Sequence, residues 1–170
     1  MLFVGVLGLA SCVADRVPLE CAPFARERSG VQLYGAAADW WQKADGRYIR
    51  TRAPVAGSVL VFRRSSRLSN GHVAVVTRVL SERQILVTHA NWVHHRVSKD
   101  MPVTDVSPNN NWTMVRVWWP PSDRMGITEY PTYGFIYRTA GEDPHRGSRK
   151  RSLPQQRNDQ PPKSIGIIFC

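Results

Sequence analysis

With 170 residues the chain is long enough for one domain with terminal extensions, and its 42% hydrophobic content excludes a wholly disordered polymer. The net charge of +10 excludes an acidic protein and favours a polyanionic partner: nucleic acid, anionic lipid or an anionic cell-wall polymer. Three cysteines (Cys12, Cys21 and Cys170) lie far apart with no CxxC pair, which excludes a disulfide framework and a sequence-local zinc or redox pair.

The first ten residues are mostly apolar. They fall short of the roughly 20 residues that span a bilayer, and they match the apolar core of a secretory signal followed by small residues. Leu9-Ala10-Ser11-Cys12 resembles a bacterial lipobox, in which the cysteine is lipidated, although no Lys or Arg precedes the apolar run. Residues 1–16 are therefore expected to be a signal or lipoprotein-like segment. The protein is expected to be exported, periplasmic or membrane-anchored through Cys12.

Ala22 to Glu27 reads as a short helix, with Pro23 tolerated in its first turn. Gly35 to Ala44, rich in Ala and carrying Trp40 and Trp41, reads as a second helix stopped at Gly46. The period then changes. Strands are predicted at Ser58–Phe62, Val73–Leu80, Gln84–Asn91 and Met114–Trp119, with a short one at Thr132–Tyr137. Ser81-Glu82-Arg83 forms a hairpin connection. Helices first and antiparallel strands afterwards imply an α+β fold. From Thr139 the composition turns to Arg, Ser, Pro, Gln and Asn, which reads as a basic, disordered tail over 139–170. Trp40, Trp41, Trp118 and Trp119 read as packing residues.

Cys21 sits just before the first predicted helix, where backbone N–H groups favour a thiolate. Taken alone it also reads as a small buried apolar residue. His72 opens a strand after Ser69-Asn70-Gly71 and suits general-base chemistry near neutrality. His89 and Asn91 share one face of the next strand. A hairpin centred near residue 82 sets residue 72 opposite roughly residue 92, so His89 and Asn91 are expected close to His72. Either one is a candidate to orient its imidazole. His94 and His95 read as surface or cleft-rim residues. The histidines show no metal spacing.

Four segments then stand in order: Pro18-Leu19-Glu20-Cys21-Ala22-Pro23-Phe24-Ala25-Arg26, Ala53-Pro54-Val55-Ala56-Gly57 with the following strand, Gly71-His72-Val73-Ala74-Val75-Val76, and His89-Ala90-Asn91-Trp92. Together they resemble the CHAP family, cysteine- and histidine-dependent amidohydrolases and peptidases of bacterial cell walls. Asp105-Val106-Ser107-Pro108 and Pro131 to Ile136 resemble a proteobacterial, exported branch of it. The resemblance implies a papain-like fold, N-terminal helices packed on an antiparallel β-sheet, over residues 17–138. It implies Cys21 as nucleophile and His72 as base. The third family position, often Glu, falls on His89, and Asn91 matches a second polar position. Trp92 is expected to line the cleft.

The implied activity is amide hydrolysis in peptidoglycan, as an amidase or endopeptidase, by a monomer that needs no metal or other cofactor and binds no nucleic acid. The missing carboxylate leaves an alternative: a catalytically weak or inactive cell-wall-binding lipoprotein on the same scaffold.

Overall fold

The computed structural model describes residues 19–138. The signal-like segment with Cys12, and the basic segment from residue 139 with Cys170, lie outside the described residues. Two short helices, α1 (Cys21–Ser29) and α2 (Trp40–Lys43), precede all of the strands. A 3-10 turn at Ala37–Asp39 leads into α2, so the expected ten-residue second helix is broken into two shorter pieces.

The strands are β1 (Ile49–Thr51), β2 (Val59–Phe62), β3 (His72–Ser81), β4 (Gln84–Ala90), β5 (Val97–Asp105), β6 (Met114–Trp119), β7 (Arg124–Met125) and β8 (Tyr130–Tyr137). All their pairings are antiparallel. The order is β1-β8-β2-β3-β4-β5-β6-β7, and β8 also pairs with β6. Strand β8 meets β2 at Val59↔Ile136 and β6 at Met114↔Pro131. Six strands, β2 to β6 with β8, therefore close into a barrel.

This corrects the expected α+β, papain-like arrangement of N-terminal helices packed on an antiparallel sheet. The molecule is mostly strand, and the sheet closes on itself. The physical cause lies in two elements. The first is β5, which bridges β4 to β6. The second is the length of β8, which lets one strand pair on both sides.

Alternation along the strands sorts side chains between two cores. Leu60, Phe62, Ala74, Val76, Ile85, Val87 and Phe135 fill the barrel interior with Trp112, Val115 and Val117. Val59, Val61, Val73, Val75 and Ile136 face outward and are covered by Ala25, Val31, Leu33, Ala37 and Trp40. Strand β2 is buried on both faces for this reason. Burial of these aliphatic side chains stabilises each by about 1.5–3 kcal/mol relative to exposure. Among the described residues no helix is long and apolar enough to cross a membrane.

Candidate functional site

Helix α1 starts at Cys21, with Pro23 in its first turn where a missing N–H costs nothing. It ends at Gly30, whose left-handed φ of 70° lets its N–H donate to the Arg26 carbonyl at 3.0 Å. Ala25 anchors the helix in the outer core, and Phe24 is buried beside it in sequence. Cys21 is thus fixed at the helix start, half-buried against that core. Its thiol is free.

His72 is the first residue of β3, paired with Phe62 of β2. The turn before it is set by Gly71, at φ 71°, whose N–H donates to the Leu68 carbonyl at 2.9 Å. A Cβ at Gly71 would stand 2.6 Å from the Ala38 Cβ and 2.7 Å from the Phe62 carbonyl oxygen. The segment carrying Ala38 is held in turn, since the Ala38 N–H donates to the Asn70 carbonyl at 3.0 Å. Glycine at 71 therefore lets the loop press against the 3-10 turn and delivers His72 to the mouth of the cleft.

The β3–β4 hairpin pairs Val75 with Thr88 and Val79 with Ile85, within one residue of the register centred on residue 82. His72 and His89 both point into one end of the barrel. His72 Nε2 lies 3.1 Å from His89 Nδ1. His89 is fully buried, and its Nε2 has no hydrogen-bond partner among the described residues. Trp92 stacks on the His89 ring at 5.3 Å between centroids and an interplanar angle of 19°. Phe62 meets His72 edge-on at 5.5 Å, and Tyr130 closes the aromatic wall behind Trp92 at 5.1 Å.

Asn91 follows β4 in a left-handed conformation, φ 60°. It does not hydrogen-bond His72. Its Nδ2 donates to Glu20 Oε2 at 3.0 Å, and its Oδ1 accepts from the His95 N–H at 3.0 Å. Of the two side chains expected near His72, the structure brings His89 to the imidazole and sends Asn91 to the residue beside Cys21. His94 and His95 are exposed.

Cys21, His72, Asn91, Glu20, Asn70 and Arg67 line one cleft of about 550 Å³. Trp92 lines an adjoining groove with Trp119 and Tyr130, and Arg67 borders both. The sequence reading missed Glu20 and Arg67. The position of Glu20 directly before the cysteine was an available signal, whereas nothing in the sequence marks Arg67.

Electrostatically the site rests in neutral forms. Burial pushes His72 down to about 3. Burial and the neighbouring His72 ring hold His89 well below the ordinary histidine range. Burial raises the Cys21 thiol; the Val73 N–H opposes this, the Glu20 carboxylate adds to it, and the Ala22 and Cys21 amides oppose it. Among the described residues, no group of three or more His, Cys, Asp and Glu could hold a metal ion.

The hydrogen bond fixes which nitrogen is available. With His72 Nε2 turned to His89, only Nδ1 of His72 is left for the cysteine. A neutral His72 that takes a proton on Nδ1 must already carry one on Nε2 and donate it to His89 Nδ1. His89 then holds its own proton on the buried Nε2.

The model of the CHAP domain family matches residues 13–91. Among solved structures, the chain is similar to the N-acetylmuramoyl-L-alanine amidase from Staphylococcus aureus, with 24% identity and a TM-score of 0.39. The alignment covers 48% of this chain and 27% of the amidase chain, so it spans about a quarter of that protein's length. Among curated proteins, none matches this chain.

Proposed function

The chain carries a CHAP-family region at residues 13–91, and on that premise we propose that it is a cysteine hydrolase cleaving amide bonds in peptidoglycan, as an amidase or endopeptidase. The observation that carries this reading is the His72–His89 hydrogen bond through Nε2. It leaves Nδ1 of His72 for a cysteine that lines the same cleft from a helix start.

In this reading His72 Nδ1 accepts the Cys21 proton as the sulfur attacks the amide carbonyl. The amide N–H groups at the start of α1 stabilise the oxyanion. His72 returns the proton to the leaving amine, and a thioester remains on Cys21. Water, deprotonated by the same nitrogen, hydrolyses the thioester and restores the thiol. His89 acts on His72 alone: it accepts the Nε2 proton throughout and fixes the ring plane. Trp92 and Phe62 hold both rings in place.

Because thiol and imidazole rest in neutral forms, proton transfer is expected to accompany attack rather than precede it. The test is mass spectrometry of muropeptides released from purified sacculi by the wild type and by Cys21→Ala. Products that require Cys21 support the proposal. Equal release by the variant overturns it.

One observation favours a second reading. Among the described residues, neither imidazole hydrogen-bonds a carboxylate, and His89 Nε2 is left unpaired in the interior. A scaffold of this kind suits a catalytically weak wall-binding protein. Binding to sacculi without muropeptide release from the wild type would select it. Export and acylation of Cys12 belong to the proposal as well, with the cell envelope as the place of action. Fractionation of cells, with Cys12→Ser as control, tests them.

A further inference from the structure

Two charges in the cleft have no role in the bond-breaking chemistry. Glu20 is exposed, and Asn91 fixes its carboxylate by the 3.0 Å bond from Nδ2. Asn91 is itself anchored, because its backbone N–H donates to the Arg96 carbonyl at 2.8 Å. Among the described residues no Lys or Arg forms a salt bridge with Glu20, in a chain with a net charge of +10. Arg67, on the loop before His72, also lines the cleft and likewise pairs with no carboxylate among the described residues. Apart from Leu68, the rest of the lining outside the catalytic pair is small or polar, with Gly35, Ala36, Ser69 and Asn70 among it.

We propose that Glu20, positioned by Asn91, is the specificity residue that binds an ammonium group of the substrate, and that Arg67 receives a carboxylate of the same peptide. The substrate class is a peptide segment bearing both charges, such as one containing a diamino acid with a free amine. This assignment rests on the hydrolase reading above and names its substrate.

The chemistry also couples binding to reactivity. A bare carboxylate next to Cys21 repels the thiolate. An ammonium seated on Glu20 neutralises that carboxylate and removes the repulsion as the thiol loses its proton. The right substrate is then one whose own charge eases formation of its nucleophile. A peptide with a blocked amine leaves the repulsion in place.

The experiment compares synthetic stem peptides containing a diamino acid, either with the amine free or acetylated, and with the terminal carboxyl free or amidated. The wild type is expected to favour the free amine about tenfold in kcat/KM, the size of one charge-assisted hydrogen bond. Glu20→Gln should lose that preference, and Glu20→Asp should keep part of it. Arg67→Gln should lose the preference for a free carboxyl while retaining that for the amine. The amine preference should shrink in high salt. Equal preference in the wild type and Glu20→Gln overturns the assignment, as does a rate increase on both peptides in Glu20→Gln, which would make Glu20 only a damper of the thiol. If the wild type cleaves none of the peptides, the endopeptidase form of the hydrolase reading fails separately, and the digestion of sacculi decides the amidase form. Calorimetric binding of the same peptides to Cys21→Ala then decides: amine-selective binding supports recognition by Glu20, and equal binding overturns it.

Discussion

His72 Nε2 and His89 Nδ1 stand 3.1 Å apart inside one end of the barrel, so one hydrogen bond commits both rings. Its proton belongs to one nitrogen or the other, and each choice dictates the tautomer of both histidines. Only the choice with the proton on His72 leaves Nδ1 free to act as a base.

Removing the acceptor should therefore impair turnover more than binding. His89→Ala is expected to lower kcat about 100-fold, roughly 3 kcal/mol of transition-state stabilisation, with little change in KM. His89→Gln, whose amide oxygen accepts the same proton, should recover much of the loss. Steady-state kinetics on a peptide substrate measures both, and wild-type kcat in His89→Ala would refute a role for this bond.

Acid should destabilise the fold through the same pair. Both histidines are depressed in the folded state, His72 to about 3 from an ordinary 6.5. Their neutral burial contributes fully above pH 6.5. The contribution is lost as pH falls from 6.5 toward 3, because the unfolded chain binds protons that the folded one does not. The slope is about 1.4 kcal/mol per pH unit for each histidine. Urea unfolding between pH 7 and pH 5, before most carboxylates titrate, measures it. His72→Gln/His89→Gln should flatten the slope, and an unchanged slope would contradict the burial argument.

Alkylation should report a protonated thiol. Burial raises Cys21 above its ordinary range. Iodoacetamide is therefore expected to react slowly at pH 7 and faster with each step in pH up to 9 and beyond. A fast rate that is flat from pH 5 to pH 8 would instead indicate a preformed thiolate–imidazolium pair.

Gly71 is expected to tolerate no side chain. Gly71→Ala meets both the left-handed backbone penalty and the contacts at 2.6 and 2.7 Å. A loss of roughly 2–4 kcal/mol of stability is expected by thermal or urea unfolding. Where the variant still folds at low temperature, its activity should fall too, because the same turn delivers His72. Unaltered stability would show that the loop can move away from Ala38.

The sequence made the local pieces legible but not their closure. The β3–β4 hairpin is carried by dense aliphatic runs on both sides of a short polar connection, Glu82-Arg83 in the structure, so its register could be estimated, and with it the meeting of His72 and His89. Strand β5 gave no such signal. Its residues Val97-Ser98-Lys99-Asp100-Met101-Pro102 mix charge with a proline, and Asp100 bends the strand at φ 50°. These are features that argue against a strand when neighbours are unseen. Without β5 the sheet has no path from β4 to β6, and the expectation defaults to helices on an antiparallel sheet. Asn91 was placed near the site for a sound reason, the shared face with His89. The left-handed turn at its own backbone, invisible in sequence, redirects its side chain to Glu20.

The pairing of β8 with both β2 and β6 has a consequence for the order of biosynthesis. Cys21, His72 and His89 leave the ribosome early, whereas the residues that close the barrel, Tyr130–Tyr137, leave last among the described elements. Until they arrive, β2 and β6 each have a bare edge, and the aromatic wall behind His72 lacks Tyr130. A nascent chain therefore holds every proposed catalytic side chain for some time without the enclosure that orders them. In the proposed hydrolase, activity is expected only once this final strand has paired with both neighbours.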